Sequence, residues 1–226
     1  MNVLGIETST AATSVCVLRS DGEAFESGSA DAAPTGSPGH SRELLPAVAE
    51  QMAASGLELG ELDSIAVAVG PGGYTGLRIG VATARGLAQA HGLTVRPVGT
   101  LAALAAGSEA PLVLPLLDAR RGEVFAALYA SDRLLWEPFA APPDDVAHRL
   151  GADELRDRPV PLAAGDGAVR FREVVEAAAE VPPDSSPLHA IRALHVCRLA
   201  AAAPATVPEA VTPRYLRAPD ATPQPR

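Results

Sequence analysis

The sequence predicts a two-lobed α/β fold in which one β-β-β-α-β-α unit is used twice, with the second copy reduced. Three observations carry that expectation. Short apolar runs of strand length alternate with longer segments whose apolar residues recur at helical spacing. The order strand, polar tip, strand, Ser-Asp turn, strand occurs twice: Glu7 and Asp118 mark the tips, Asp21 and Asp132 the turns, and each pair is 111 apart (118 − 7, 132 − 21). Before the second copy, a strand passes through a glycine-rich break straight into a helix, in Val67-Ala-Val-Gly70-Pro-Gly-Gly-Tyr-Thr-Gly-Leu-Arg-Ile-Gly80.

Residues 3–6 predict a buried strand ending on Glu7. Thr8-Ser9-Thr10 is a polar turn, and residues 13–18 return as a second strand. Ser20-Asp21-Gly22 is a hairpin turn into a third, edge strand at 23–26. Residues 28–39 are rich in Ser, Ala, Pro and Gly and read as a loop. A helix over 40–52 puts Leu44, Leu45, Val48 and Met52 on one face, with Pro46 kinking it near its first turn.

The strand at 64–69 leads into the glycine loop, where Thr75 is the expected N-cap of a helix that ends at His91 with Gly92 as C-cap. Gly76, Gly80, Ala84 and Ala88 recur at every fourth position of that helix. Ala82, Gly86 and Ala90 form a second small stripe on roughly the opposite side. Glycine inside a helix costs about 1 kcal/mol against alanine. A helix smooth on two sides therefore suits close approach: one side meets its own sheet, the other is open to a second helix. A strand at 93–98 and a short helix at 100–106 complete a first lobe over 1–107.

The second copy opens with a strand at 111–117 ending on Asp118, an Arg120-Arg121-Gly122 turn and a returning strand at 124–130. It then degenerates. A helix at 144–150, a short strand near 160–163 and helices at 168–180 and 188–203 fill the rest of a reduced lobe over 108–203. Residues 204–226 are rich in Pro and Ala and read as a mostly disordered tail anchored only at Pro213-Arg-Tyr-Leu-Arg217. A duplicated unit of this order is the plan of the actin-like (ASKHA, ribonuclease H-like) superfamily. In that plan the first and fourth strands are neighbours, so the Glu7-Thr8-Ser9 tip and the Gly70 loop share one crevice.

Composition narrows the function. At 226 residues and 47% hydrophobic, the chain can bury a substantial core. A net charge of −9 argues against a free-standing nucleic-acid binder. No apolar run reaches the length of a membrane span and no signal core opens the chain, so a cytoplasmic location is expected. Cys16 and Cys197 sit in apolar patterns and read as reduced core thiols. The five histidines offer no i, i+4 pair for a metal, and His189 and His195, six apart, fall on different helix faces. Neither a metal nor a cofactor is expected.

Three chemistries deserve weighing against simple binding. The glycine loop lacks a Gly-Lys-Ser/Thr ending and the dinucleotide spacing. A possible nucleotide or anion cleft nevertheless gathers Glu7, Thr8, Ser9, Gly70, Gly72, Gly73 and Thr75. Hydrolysis by an activated serine has no Gly-x-Ser-x-Gly elbow to support it. The serious alternative is an ATP-dependent small-molecule kinase of the actin-like superfamily. Against it, the first tip has no glycine, and Gly165-Asp166-Gly167 is the sole candidate for an adenosine-binding turn, better read as a plain turn. No catalytic residue is assigned.

The stretches Leu4-Gly-Ile-Glu-Thr-Ser-Thr10, His40-Ser-Arg-Glu-Leu-Leu-Pro46, the Gly70 loop with its helix, Leu117-Asp-Ala-Arg-Arg-Gly-Glu-Val124 and Pro213 to Arg217 together resemble the TsaB (YeaZ) family. The chain departs from the family pattern at Glu7, where Asp is common, and at Gly73-Tyr74, where Ser-Phe is usual. The resemblance implies a non-catalytic subunit of the bacterial machinery that makes threonylcarbamoyladenosine in tRNA. TsaD would perform the transfer, TsaE would dock on the pair, and tRNA would be met only through the complex. Alone, the chain would form a homodimer through the same two helices. The candidate partner interface is then His40, Leu44, Leu45, Val48, Arg78, Gly80, Val81, Ala84 and Arg85.

Overall fold

The structure is a computed structural model and describes residues 1–27, 39–131, 133–151 and 158–217. Most of the loop expected at 28–39, Asp132 of the second Ser-Asp turn and the last part of the expected tail lie outside the described residues.

Strands β1 (Val3–Glu7), β2 (Ser14–Leu18), β3 (Ala24–Ser27), β4 (Ser64–Ala68) and β5 (Thr94–Val98) form one sheet in the order β3-β2-β1-β4-β5. β1 runs antiparallel to β2, with Glu7 opposite Ser14, and parallel to β4, with Leu4 opposite Ile65. Side chains alternate along each strand, and that alternation sorts the core. Leu4, Ile6, Val15, Val17, Ile65 and Val67 pack with Leu44 and Val48 of helix α1 (His40–Ser55) and with Val81, Ala84 and Ala88 of α2 (Tyr74–His91). Val3, Cys16, Ala66 and Ala68 belong to the core on the opposite face. Pro46 lies inside α1 without ending it.

The second sheet has the order β8-β7-β6-β9, from β6 (Val113–Arg120), β7 (Glu123–Ala130), β8 (Arg133–Ala141) and β9 (Leu162–Ala164). Leu114, Leu116, Ala126 and Leu128 pack against helices α4 (Pro143–Leu150), α5 (Asp166–Arg170) and α6 (Arg172–Val175). This order repeats β3-β2-β1-β4. Among the described residues no strand takes the place of β5, so the fold is the duplicated actin-like plan with a reduced second lobe.

Helices α3 (Thr100–Ala105) and α7 (Ala193–Ala200) lie between the two sheets. One cluster joins Val3, Cys16 and Ala66 of the first sheet, Leu101, Leu104, Val196 and Cys197 of these helices, and Leu117, Phe125 and Ala127 of the second sheet. Full burial of a Val, Leu or Phe side chain is worth about 1.5–3 kcal/mol. A continuous apolar core therefore couples the lobes.

The second half departs from the sequence reading in three places. The helix expected over 168–180 breaks at Phe171, where the backbone leaves helical geometry (φ −112°, ψ 30°). Next to the break, the Arg172 guanidinium caps the carbonyls of Val181 and Pro182. The helix expected over 188–203 is a 3-10 turn at Pro187–His189 followed by α7. Although read as part of the second lobe, α7 packs on β1 and β2 of the first, with the Cys197 thiol directed at the carbonyls of Val3 and Cys16.

The third departure is the tail. Residues 204–217 are tied to the body of the protein at defined points. Thr206 and Val95 exchange both backbone hydrogen bonds at the β5 edge (2.9 Å each), and Val211 is 2% exposed. The prolines that suggest disorder instead shape an extended strap, whose backbone needs are met by the strand edge.

Candidate functional site

The crevice predicted at the carboxyl ends of β1 and β4 is a packed junction. The carbonyl of Ser9 accepts the Gly73 N–H (2.7 Å), and the Thr8 hydroxyl donates to the Gly76 carbonyl (2.8 Å). A Cβ at Gly72 would lie 2.6 Å from the Ser9 carbonyl oxygen, so the loop closes on the β1 tip only because glycine stands there. Glu7, Thr8, Ser9, Gly72 and Gly73 are thus brought together, as expected, but against one another. Gly70 faces the strap, where a Cβ would sit 2.5 Å from the Arg214 carbonyl oxygen. Thr75 is exposed in the first turn of α2, and Gly73 is the N-cap in its place.

Glu7 sets the electrostatics of this junction. It is 1% exposed; its Oε1 accepts the backbone N–H and hydroxyl of Ser9, while Oε2 has no partner. Burial pushes its carboxyl up to about 7, against the opposing pull of the two Ser9 bonds. A desolvated acid beside the loop disfavours a phosphate. The Gly73 N–H, moreover, is already bonded to Ser9. The geometry works against the anion cleft read from the glycines.

The residues expected at a partner interface divide between the core and the surface. His40, Leu44, Val48, Gly80, Val81 and Ala84 are buried in the protein's own core and do not form an outer face. His40 donates its Nε2–H to the Thr10 carbonyl (2.9 Å), and its Nδ1 lies 2.8 Å from the Thr13 hydroxyl, so it fastens the start of α1 to the β1–β2 turn. Burial lowers its pKa. A Cβ at Gly80 would stand 2.3 Å from the Thr8 hydroxyl oxygen. The stripe of Gly76, Gly80, Ala84 and Ala88 is the one that meets the parent sheet.

The opposite stripe stays open. Ala82, Gly86 and Ala90 are exposed, and a Cβ added at Gly86 would meet nothing within 4 Å. Next to α2, the outer side of α1 exposes Leu45 to 58%, with Pro46, Ala49 and Ala53 exposed as well. The arginines are committed elsewhere. The Arg78 guanidinium lies 3.9 Å over the Tyr74 ring and donates from Nε to the Tyr215 hydroxyl (3.0 Å). Gln89 donates to Glu209 (2.5 Å), whose carboxyl is held low first by its own backbone N–H, then by Gln89, and least by the charge of Arg85. Arg78 binds the strap directly, and Arg85 acts on it only through its charge.

In the second lobe, Arg120 and Arg170 both reach Oδ2 of Asp118 (3.1 and 3.0 Å). Asp166 accepts the Asp118 N–H (2.9 Å), and burial raises its pKa. Gly165 allows close approach to β6, since a Cβ there would be 2.1 Å from the Leu116 carbonyl oxygen. These acids are internally matched. Among the described residues no group of three or more His, Cys, Asp or Glu side chains is placed to hold a metal ion, and no helix is long and apolar enough to cross a membrane.

Comparison with known proteins agrees with this architecture. Residues 34–142 match the family model for TsaD, tRNA N6-adenosine threonylcarbamoyltransferase. The chain is 37% identical over 139 residues to the tRNA threonylcarbamoyladenosine biosynthesis protein TsaB of Escherichia coli, a match covering 58% of this chain and 56% of that protein. It is 33% identical over 181 residues to TsaB of Bacillus subtilis, covering 78% and 76%. The match thus spans little more than half of the Escherichia coli relative's length and three quarters of the Bacillus one. A crystal structure from Pseudomonas aeruginosa, described as an uncharacterized protein with similarity to peptidase YEAZ, superposes with a TM-score of 0.80 at 30% identity, covering 96% of this chain and 99% of that one.

Proposed function

The chain belongs to the TsaB (YeaZ) family, and from that premise we propose that it is a non-catalytic subunit for the synthesis of threonylcarbamoyladenosine in tRNA. In this role it binds a TsaD-type transferase through the outer faces of α1 and α2, and TsaE joins the pair. In the absence of that partner, two copies pair through the same faces. tRNA is met through the complex, consistent with a net charge of −9.

One observation carries the reading. The outward stripe of α2, Ala82, Gly86 and Ala90, is free of the protein's own packing and smooth enough for another backbone to approach. A helix facing only water gains nothing from glycine at position 86. A closely packed partner helix gives that residue a purpose, and Leu45 of α1 adds an exposed apolar side chain. The absence of turnover by the chain alone is supported by the closed junction around Glu7 and by the internal pairing of Asp118.

The test is co-purification with a TsaD-type partner, followed by an ATPase assay of each protein separately. We expect a stable complex, lost in Gly86→Glu and Leu45→Glu with the fold intact, and no ATP hydrolysis by this chain. ATP turnover by the isolated chain that disappears in Asp118→Asn and survives Gly86→Glu would instead establish the kinase reading.

A further inference from the structure

The strap formed by residues 204–217 touches the carboxyl ends of strands in both sheets. After the Val95–Thr206 ladder and the buried Val211, the Arg214 N–H donates to the Val69 carbonyl (2.7 Å), one residue beyond β4. Its carbonyl lies against Gly70, where a Cβ would approach to 2.5 Å. Tyr215 stacks on Tyr74, ring centroids 4.9 Å apart, and accepts the Arg78 Nε–H. Arg217 then crosses to the second lobe. It donates to the Ala119 carbonyl near the end of β6 (3.3 Å) and pairs with Glu123 at the start of β7 (3.0 Å).

Carboxyl ends of strands are where open α/β sheets receive ligands. We propose that residues 211–217 are a built-in occupant of that place: the strap bridges the two lobes at the crevice mouth, and the chain thereby holds one closed relation of its lobes without a nucleotide. The shared core formed by α3 and α7 joins the lobes at their base. The strap fastens the open side. Part of its hold on the first lobe runs through Arg78 and Tyr74, residues of α2, which ties that helix to the strap. The bridge needs no partner protein to form.

Native-state hydrogen exchange on the full chain tests it. Arg217→Ala removes the bond to Ala119 and the pair with Glu123 and should speed exchange at least about fivefold in segments 69–76 and 118–124 together. Tyr215→Ala should do the same from the other bank. Leu216→Ala, 39% exposed and outside these contacts, should change neither segment. Acceleration confined to 118–124 in Arg217→Ala would overturn the bridge, since the far bank would not feel the loss. Equal acceleration throughout β1 and β4 would overturn it too, reducing the strap to a contributor to global stability. Adding ATP to the wild-type chain is the last arm: with the strap in place and with Glu7 and Gly73 bonded to Ser9, ATP should change exchange in neither segment. Added protection of both segments by ATP in the wild-type chain would overturn the proposal, since the crevice would then close further on a nucleotide.

Discussion

Gly80 and Gly86 lie on the same helix, and a side chain would have opposite consequences at the two. At Gly80 the space is filled by the Thr8 hydroxyl, 2.3 Å from a Cβ. Gly80→Leu should destabilise the fold by about 1–3 kcal/mol or more, as overpacking does, measured by urea unfolding. At Gly86 the space is empty. Gly86→Ala should stabilise the isolated chain by up to about 1 kcal/mol through helix propensity, in the same assay. Glu7 gives a pH signature. Its folded pKa, about 7, lies above the ordinary glutamate value of 4.5, so the folded state holds the proton more tightly. Stability is therefore greatest below the unfolded pKa and falls as pH rises from about 4.5 through about 7, levelling above. A shift of that size corresponds to roughly 3 kcal/mol. Glu7→Gln should flatten this slope in a pH series of unfolding curves.

At the scale of elements, α1 and α2 each divide into an inner and an outer face, and sequence periodicity shows the division without labelling the sides. Leu44 and Leu45 are adjacent, both apolar, and one is buried while the other is 58% exposed. The same holds for the two small stripes of α2, which differ only in which meets β1. Under the proposed function, Leu45→Glu and Ala82→Glu should weaken pairing with a TsaD-type partner, or with a second copy, by at least about tenfold, as charges placed in a close helix contact do. Their melting temperatures should stay within a few degrees of wild type. Sedimentation or calorimetric titration reads the first and thermal denaturation the second.

Across the whole molecule, chain segments distant in sequence finish the structure. The strap supplies a ladder partner for the β5 edge, buries Val211 and reaches the second lobe through Arg217. Truncation after residue 203 should cost at least the roughly 1.5–3 kcal/mol of one buried aliphatic side chain, seen as a lower denaturation midpoint. It should also expose the edge of β5 to self-association, seen as growth in light scattering.

The duplicated plan was legible in the sequence because strands and helices impose their own periods, and because the tips at Glu7 and Asp118 repeat at one offset. The small-residue stripes of α2 and the anchor at Pro213 to Arg217 were legible for the same local reason: spacing and residue type are written along the chain. Tertiary structure alone decided which stripe turns inward, that the glycine loop closes on Ser9, that α7 returns to the first sheet, and that the proline-rich end is a strap. Each of those depends on what a distant segment offers as a partner. Local periodicity fixes that a face is smooth or apolar, whereas burial is a property of two surfaces meeting.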